Sequence, residues 1–477
     1  MERSPAPAGW RLRPAAGLRQ LDGGQLLVGG SPLRLLRLST SGARLVRGWW
    51  SGRPLGEQRA ERLLARRLLD AGLADPDPPP DTRSPGKLTV IVPVHERADQ
   101  LRTCLAALGG EWRTIVVDDG SKNAEAIAAA ARERGACYVR HEHRRGAAAT
   151  RNTGLSRADT PLVAFLDSDC VPARGFPADL LPHFGDPLVA AVAPRIVALP
   201  GPRSRMDSYE RARSALDMGP SPALVNPHGR VPYLPTAALV ARREVLGPGF
   251  DEALSIGEDV DLVWRLYDAG WQIRYEPRST VAHDHRLELA SWWARRVVYN
   301  SSVAPLSRRH PGRLPVLDMS AAGALAWGAA LSGYPQALPV IAAARTVGLL
   351  RLLRVRDIDA TRLAARLSLQ GTAREGRELA RALVGPWSPA TLAAPRMQGA
   401  SRQLATLIGA WLVASWLEDR PRLDPASYAA LRMAEEAARG AGIWLGCVQE
   451  QSLRTLLPAR HPRHPGGPGV PSARLED

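Results

Sequence analysis

Lysine is almost missing from this chain. Of its 477 residues only Lys87 and Lys122 are lysines, so the formal charge of +16 is carried almost wholly by arginine. Abundant Ala, Gly and Pro accompany the arginine, a pattern of codon bias, so the basicity is no argument for nucleic acid. A basic surface does suit nucleotide phosphates and anionic lipid headgroups. Cysteine is scarce: Cys104, Cys137, Cys170 and Cys447 have no metal-ligand spacing, and a reducing, cytoplasmic compartment is expected. The opening MERSPAPAGWRLRPAAG lacks the apolar core of a signal peptide, so secretion is not expected. Phosphate-binding loops are missing too. The first strand of the α/β region runs into PVHERAD, with neither a dinucleotide fingerprint nor a Walker motif. A nucleotide phosphate must therefore be held another way.

What is present falls into segments. Residues 1–74 read as a small winged-helix-like module. GLRQLDGGQLLVGG gives two short strands around Asp22–Gly24, a helix follows in STSGARLVRGWWSG, and EQRAERLLARRLLDAGL places Leu63, Leu64, Leu68, Leu69 and Leu73 on one helix face. Residues 75–86 are a Pro-rich linker, unsuited to helix or central strand. From 87 to 310 strands and helices alternate, which predicts an α/β domain with a mostly parallel central sheet. Residues 311–457 read as a helical region, and 458–477 as a disordered tail. The helical region holds 26 uncharged residues, Met319–Ala344. They leave three alternatives open: one membrane span, a peripheral helical surface, or a soluble domain.

The chemistry gathers at strand ends. In parallel α/β sheets ligands bind beyond the carboxyl ends of the strands. Here those ends carry Glu96, the pair Asp118 and Asp119, and the pair Asp167 and Asp169 of FLDSDC. Neighbouring carboxylates repel and are costly to bury unless something compensates. Turns alone are a poor account of three acidic ends on one edge. A divalent metal, Mg²⁺ or Mn²⁺, on Asp167 and Asp169 would bridge diphosphate oxygens and neutralise their charge. A second constellation, IGEDVDLVWRL, sets Glu258, Asp259 and Asp261 at a helix start. Acids there favour the helix dipole; alternatively one of them faces the sheet edge as a general base.

In order, VIVPVHER, VVDDGS, GAAATRNTGL, FLDSDC and GEDVDLVWRLYDAGW resemble the inverting family 2 glycosyltransferases of GT-A fold. With LLVGGSPLRLLRLS ahead of them, they are most similar to the glycosyltransferases of mycofactocin biosynthesis. That resemblance implies UDP-glucose as donor and a peptide-derived redox cofactor precursor as acceptor. It implies that Pro93, His95 and Glu96 line the uridine pocket and that Asp118 or Asp119 holds the base. Arg151 would steady the nucleotide, Asp167 meet the ribose, and Asp169 bind the metal. The second acid of Glu258-Asp259 would be the base, and His283 of VAHDHR would complete the metal shell or touch the diphosphate. The Gln-x-x-Arg-Trp motif of processive polymer synthases is absent, SWWARRVV having the wrong arrangement, so a short oligosaccharide is expected. The family likeness also points the N-terminal module to a peptide, bound by strand addition, rather than to nucleic acid. An anionic membrane surface is a further candidate partner, with the chain peripheral to it or crossing it once, and a lipid carrier is the rival acceptor.

Overall fold

The computed structural model describes residues 4–80, 85–201, 204–285, 287–355, 357–393 and 400–458; the expected tail lies almost wholly outside them. The chain divides into two compact units, residues 1–200 with 214–285, and residues 201–213 with 286–477.

The first unit opens with β1 (Arg11–Pro14), β2 (Arg19–Leu21), β3 (Leu26–Gly29) and β4 (Arg34–Arg37), then α1 (Thr40–Trp50), α2 (Arg59–Asp70) and β5 (Ala74–Asp77). Strands β2, β3 and β4 form an antiparallel sheet, and β1 pairs with β5. Ser39 caps α1 by accepting the Gly42 amide, a bond of the kind that typically contributes about 1 kcal/mol. The apolar face of α2 closes over Trp10, Leu27, Val46 and Trp49, with Leu68, Leu69 and Leu73 fully buried. Pairing of Ala74–Asp77 with Arg11–Pro14 makes the start of the expected linker an edge strand. In a two-stranded ribbon Pro76 loses no ladder bond that a central strand would need.

Polar contacts, one of them a buried ion pair, fasten this N-terminal segment to the α/β region of the same unit. Arg66 and Asp186, both fully buried, form a two-pronged pair at 2.8 and 2.7 Å. The amide of Gln272 donates to Asp70 at 2.6 Å, and Arg278 donates to Asp77 at 3.0 Å.

The α/β region begins with β6 (Leu88–Val94), α3 (Ala98–Leu108), β7 (Arg113–Asp118), α4 (Ala124–Arg132), β8 (Cys137–Arg140), α5 (Ala147–Arg157), β9 (Leu162–Leu166) and β10 (Cys170–Pro172). It continues with β11 (Val189–Ala198), α6 (Arg205–Arg213), β12 (Ala223–Leu224), β13 (Ala238–Arg242), α7 (Glu258–Asp268) and β14 (Gln272–His283). The sheet order is β10-β14-β11-β13-β9-β6-β7-β8, with β12 on β14. From β9 to β8 every pairing is parallel, as the alternating sequence predicts; beyond β9, β13 is antiparallel to both neighbours and the sheet is mixed. This is a GT-A-like fold. Its strands are nearly continuous apolar runs because helices cover both faces.

The second unit is helical: α6, then α8 (Leu289–Ser301), α9 (Val303–Arg309), α10 (Ala321–Leu331), α11 (Ala337–Leu353), α12 (Ile358–Val384), α13 (Ser388–Ala393), α14 (Ala400–Asp419) and α15 (Pro425–Gln449). Although it lies between β11 and β12 in sequence, α6 joins this unit because Met206 and Tyr209 pack against Trp292 and Tyr428. The uncharged run Met319–Ala344 folds as two helices broken around Tyr334–Pro335, and no helix among the described residues is long and apolar enough to cross a membrane. Helices α8 and α15 pack closely, since a Cβ on Gly442 or Gly446 would overlap the carbonyl oxygen of Val297 or Ser301.

Buried charge holds this unit too. Glu210 accepts from Trp292 Nε1 at 2.6 Å and Arg296 at 2.5 Å. Glu435 meets Arg296 and Arg432, and Glu436 meets Arg381, Arg432 and Arg439.

Candidate active site

Parallel pairing of β9, β6 and β7 carries their carboxyl ends to one edge. Val94 lies opposite Asp118, and Ile91 opposite Phe165, so the polar residues that follow each strand meet there. Pro93 is the penultimate residue of β6. His95 Nδ1 is 3.0 Å from the Asp119 carbonyl oxygen. The Glu96 carboxylate accepts the Lys122 amide, and its own amide donates to Ser121 Oγ. Glu96 and Arg97 both adopt left-handed backbone, φ +59° and +64°, a rare state for two consecutive non-glycine residues and one that clusters at functional sites.

The two aspartates after β7 differ. Asp118 is fully buried and accepts the Ser121 amide, the Ser121 hydroxyl and the Tyr138 hydroxyl; it holds its own turn together. Asp119 accepts His141 Nδ1 at 2.9 Å and the amides of Arg145 and Gly146 at 2.8 Å. Burial acts to raise its pKa, but those hydrogen bonds outweigh burial and hold the carboxyl below its ordinary range.

Helix α5 lies so close to β6 that a Cβ on Gly154 would overlap Ile91. One turn earlier Arg151 is buried under the strand ends. It donates Nη2 to Asp167 and Nη1 to Glu258, both at 2.7 Å, with Phe250 beneath it at 5.6 Å. Its guanidinium thus joins the Asp167–Asp169 loop to α7 at the edge where the family resemblance implies a nucleotide contact. Gly257, at φ +85°, turns the chain into α7. The neighbouring Asp259 has its pKa pushed up to about 7, first by burial and then by repulsion from Glu258, which together outweigh attraction to Arg151 and the Val260 amide. Asp261 is spent on Arg265 one turn along the helix.

Asp169 is approached from two sides. Pairing of Cys170 with His283 brings His283 Nε2 to 3.6 Å from Asp169 Oδ1, while Arg97 Nη1 lies 2.5 Å from Oδ2. The Asp284 amide donates to the Asp169 carbonyl, locking the loop to the end of β14. Among the described residues no group of three or more His, Cys, Asp or Glu could hold a metal by itself. Asp169 and His283 do present a carboxylate oxygen and an imidazole nitrogen, donors suited to Mn²⁺ or Mg²⁺. They fit such an ion if diphosphate oxygens and water supply the rest of its shell.

Four residues at this edge escape a reading of the sequence: Arg97, Ser121, Tyr138 and His141. His141 follows β8 as Asp119 follows β7, so the strand-end rule applied once more finds it. Arg97 stands directly after VIVPVHE but signals nothing until its partner is seen.

The family model Glycosyl transferase family 2 matches residues 89–246. The chain belongs to glycosyltransferase family 2. Over 472 residues it is 38% identical to the pre-mycofactocin glycosyltransferase of Mycobacterium tuberculosis, an alignment covering 95% of this chain and 98% of the relative. The poly-beta-1,6-N-acetyl-D-glucosamine synthase of Staphylococcus aureus is 26% identical over 204 residues, 42% of this chain and 49% of its own. Among solved structures, mannosyltransferase PcManGT from Pyrobaculum calidifontis, in complex with GDP-Man and Mn²⁺, aligns with 77% of this chain and 88% of its own at TM-score 0.44 and 19% identity.

Proposed function

We propose that this glycosyltransferase moves glucose from UDP-glucose, with inversion, onto pre-mycofactocin, the acceptor for which its M. tuberculosis relative is named and which the family resemblance makes a peptide-derived redox cofactor precursor, and builds a short oligosaccharide. The observation that carries the mechanism is the asymmetry of the acid pair at the start of α7. Glu258 is paired with Arg151, whereas Asp259 is pushed up to about 7, the range a general base needs near neutral pH. Asp259 takes the acceptor hydroxyl's proton on the face opposite the leaving diphosphate. Glu258 and Arg151 position it. Asp119 holds the base of the nucleotide, with Asp118 supporting its turn; Asp167 meets the ribose, and Pro93, His95 and Glu96 border the uridine. Asp169 and His283 would hold a divalent cation, which would supply positive charge to the leaving diphosphate.

The N-terminal module takes the precursor peptide by strand addition. Strand β4 pairs only with β3 among the described residues, and Leu35 within it and Leu33 just before it are exposed, a free edge of the kind peptides extend. Duplex DNA is expected not to bind.

A second reading has one observation in its favour. The exposed face of α11 is apolar from Pro339 through Val340, Ala343, Ala344 and Val347 to Gly348, with Leu325 exposed on α10, and Arg351 and Arg354 are exposed at the far end. Such a face suits peripheral contact with an anionic membrane, on the cytoplasmic side, and with it a lipid-linked acceptor.

One assay separates these readings: release of nucleotide from UDP- and GDP-sugars, with peptide-derived precursor or lipid carrier, in Mn²⁺, Mg²⁺ or EDTA. UDP-glucose turnover that needs the precursor and stops in EDTA is expected. Turnover unaffected by EDTA removes the metal from the scheme, and transfer only to a lipid carrier on vesicles establishes the second reading.

A further inference from the structure

The proposed mechanism leaves Arg97 unused, yet its backbone is held in the left-handed region, φ +64°. It follows Glu96 in a second consecutive left-handed conformation, and Glu96 is clamped to Ser121 and Lys122. That clamp fixes the start of α3 and directs the Arg97 side chain across the strand ends to Asp169, at 2.5 Å. Both side chains remain partly open, 36% and 19% exposed. A guanidinium has five donors in a planar fork that matches phosphate oxygens. Asp169 thus has one carboxylate oxygen facing Arg97 and the other facing His283.

We propose that Arg97 is a diphosphate ligand that waits on Asp169: it pairs with the aspartate in the donor-free protein and crosses to the diphosphate when a nucleotide sugar binds. This rests on the reading that Asp169 and His283 hold a divalent cation beside the donor diphosphate. In the exchange no covalent bond changes; one ion pair is traded for another, and Asp169 is released to the metal. Arg97 then has opposite effects on two ligands. Without nucleotide it competes with the cation for Asp169. With nucleotide it binds the same diphosphate as the cation, so each ligand strengthens the other, and by linkage the coupling is equal in both directions.

The experiment compares wild type with Arg97→Met, Arg97→Lys and Asp169→Asn. Mn²⁺ binding is followed through the free-ion paramagnetic resonance signal, and UDP binding by calorimetry in Mn²⁺. For Arg97→Met the nucleotide-free protein should bind Mn²⁺ about threefold or more tighter, because the competing charge is gone. UDP should bind about tenfold weaker through loss of a charge-assisted contact. The lysine variant should lie between, keeping the charge without the fork. Should the methionine variant fail to fold, the lysine variant carries the test with the same signs. Weakening of both ligands together, or no change in either, overturns the proposal and leaves Arg97 a structural residue. If wild type takes up no Mn²⁺ even with UDP present, or Asp169→Asn with UDP binds Mn²⁺ as wild type does, the underlying metal reading fails instead, and the exchange falls with it.

Discussion

The protein buries two charge networks of opposite balance. In the helical unit, Glu436 is surrounded by Arg381, Arg432 and Arg439. Burial alone would raise its pKa, but the three guanidinium groups outweigh it and hold the carboxyl down at about 2. At the strand ends the ratio is reversed. Arg151 alone serves Asp167 and Glu258, and Asp259 beside them is pushed up to about 7. Over-compensated carboxylates cross-link helices and stay charged. The under-compensated one is left near its titration point, where a proton can move.

Five experiments would break or sharpen that contrast. The largest effect belongs to Asp259→Asn, which should lower turnover about 10²–10⁴-fold, the usual contribution of a general base, without lowering the melting temperature. Near-normal turnover in this variant would remove Asp259 from the mechanism. In the other network, Glu436→Gln should leave three guanidinium groups short of a counter-charge and cost about 3–5 kcal/mol, read as an earlier denaturant transition. An unchanged transition would mean that the contrast between the networks has no energetic content.

The pH responses should then run in opposite directions. Asp259 must be ionised to act, so kcat/KM should fall about tenfold per pH unit below about 7, a slope that Asp259→Asn should lack. For stability, a raised carboxyl pKa favours the folded state at low pH, and that contribution is lost as pH rises through about 7. Glu436 does the reverse: its contribution is present above the unfolded value of 4.5 and is lost as pH falls toward about 2. Stability–pH curves of the two variants against wild type would show it, and parallel curves would contradict it. Smallest is Gly446→Ala, whose added methyl meets the Ser301 carbonyl oxygen. A cost of about 1–3 kcal/mol is expected from forcing α8 and α15 apart, measured by the same denaturant transition, with transferase activity retained at low temperature.

How far the sequence can be read depends on which interactions are local. Parallel strands with helices between them are a local pattern, so the β9-β6-β7-β8 half of the sheet and its acidic ends are legible. The partners of Arg151 are not, because Glu258 stands 107 positions away and no spacing rule links them. The same holds for Arg97 and Asp169, 72 positions apart. ADPD reads as linker because its residues are poor strand formers, and only the presence of β1 makes it a strand. The uncharged run is legible as apolar, but whether it spans or folds back turns on the break at Tyr334–Pro335.

The fully buried pair of Arg66 and Asp186 sets a rule of inheritance for this gene. One charge lies in the first seventy residues and the other deep within the transferase, and removing either breaks a buried ion pair at a cost of about 3–5 kcal/mol, although Arg66 keeps Asp70 at 3.8 Å and Asp186 keeps the Leu188 amide. A recombination event that replaced the N-terminal segment would have to bring a matching cation, and one that replaced the transferase a matching anion. The two segments are therefore expected to be exchanged as one piece, and a relative with one half replaced should show both positions changed together.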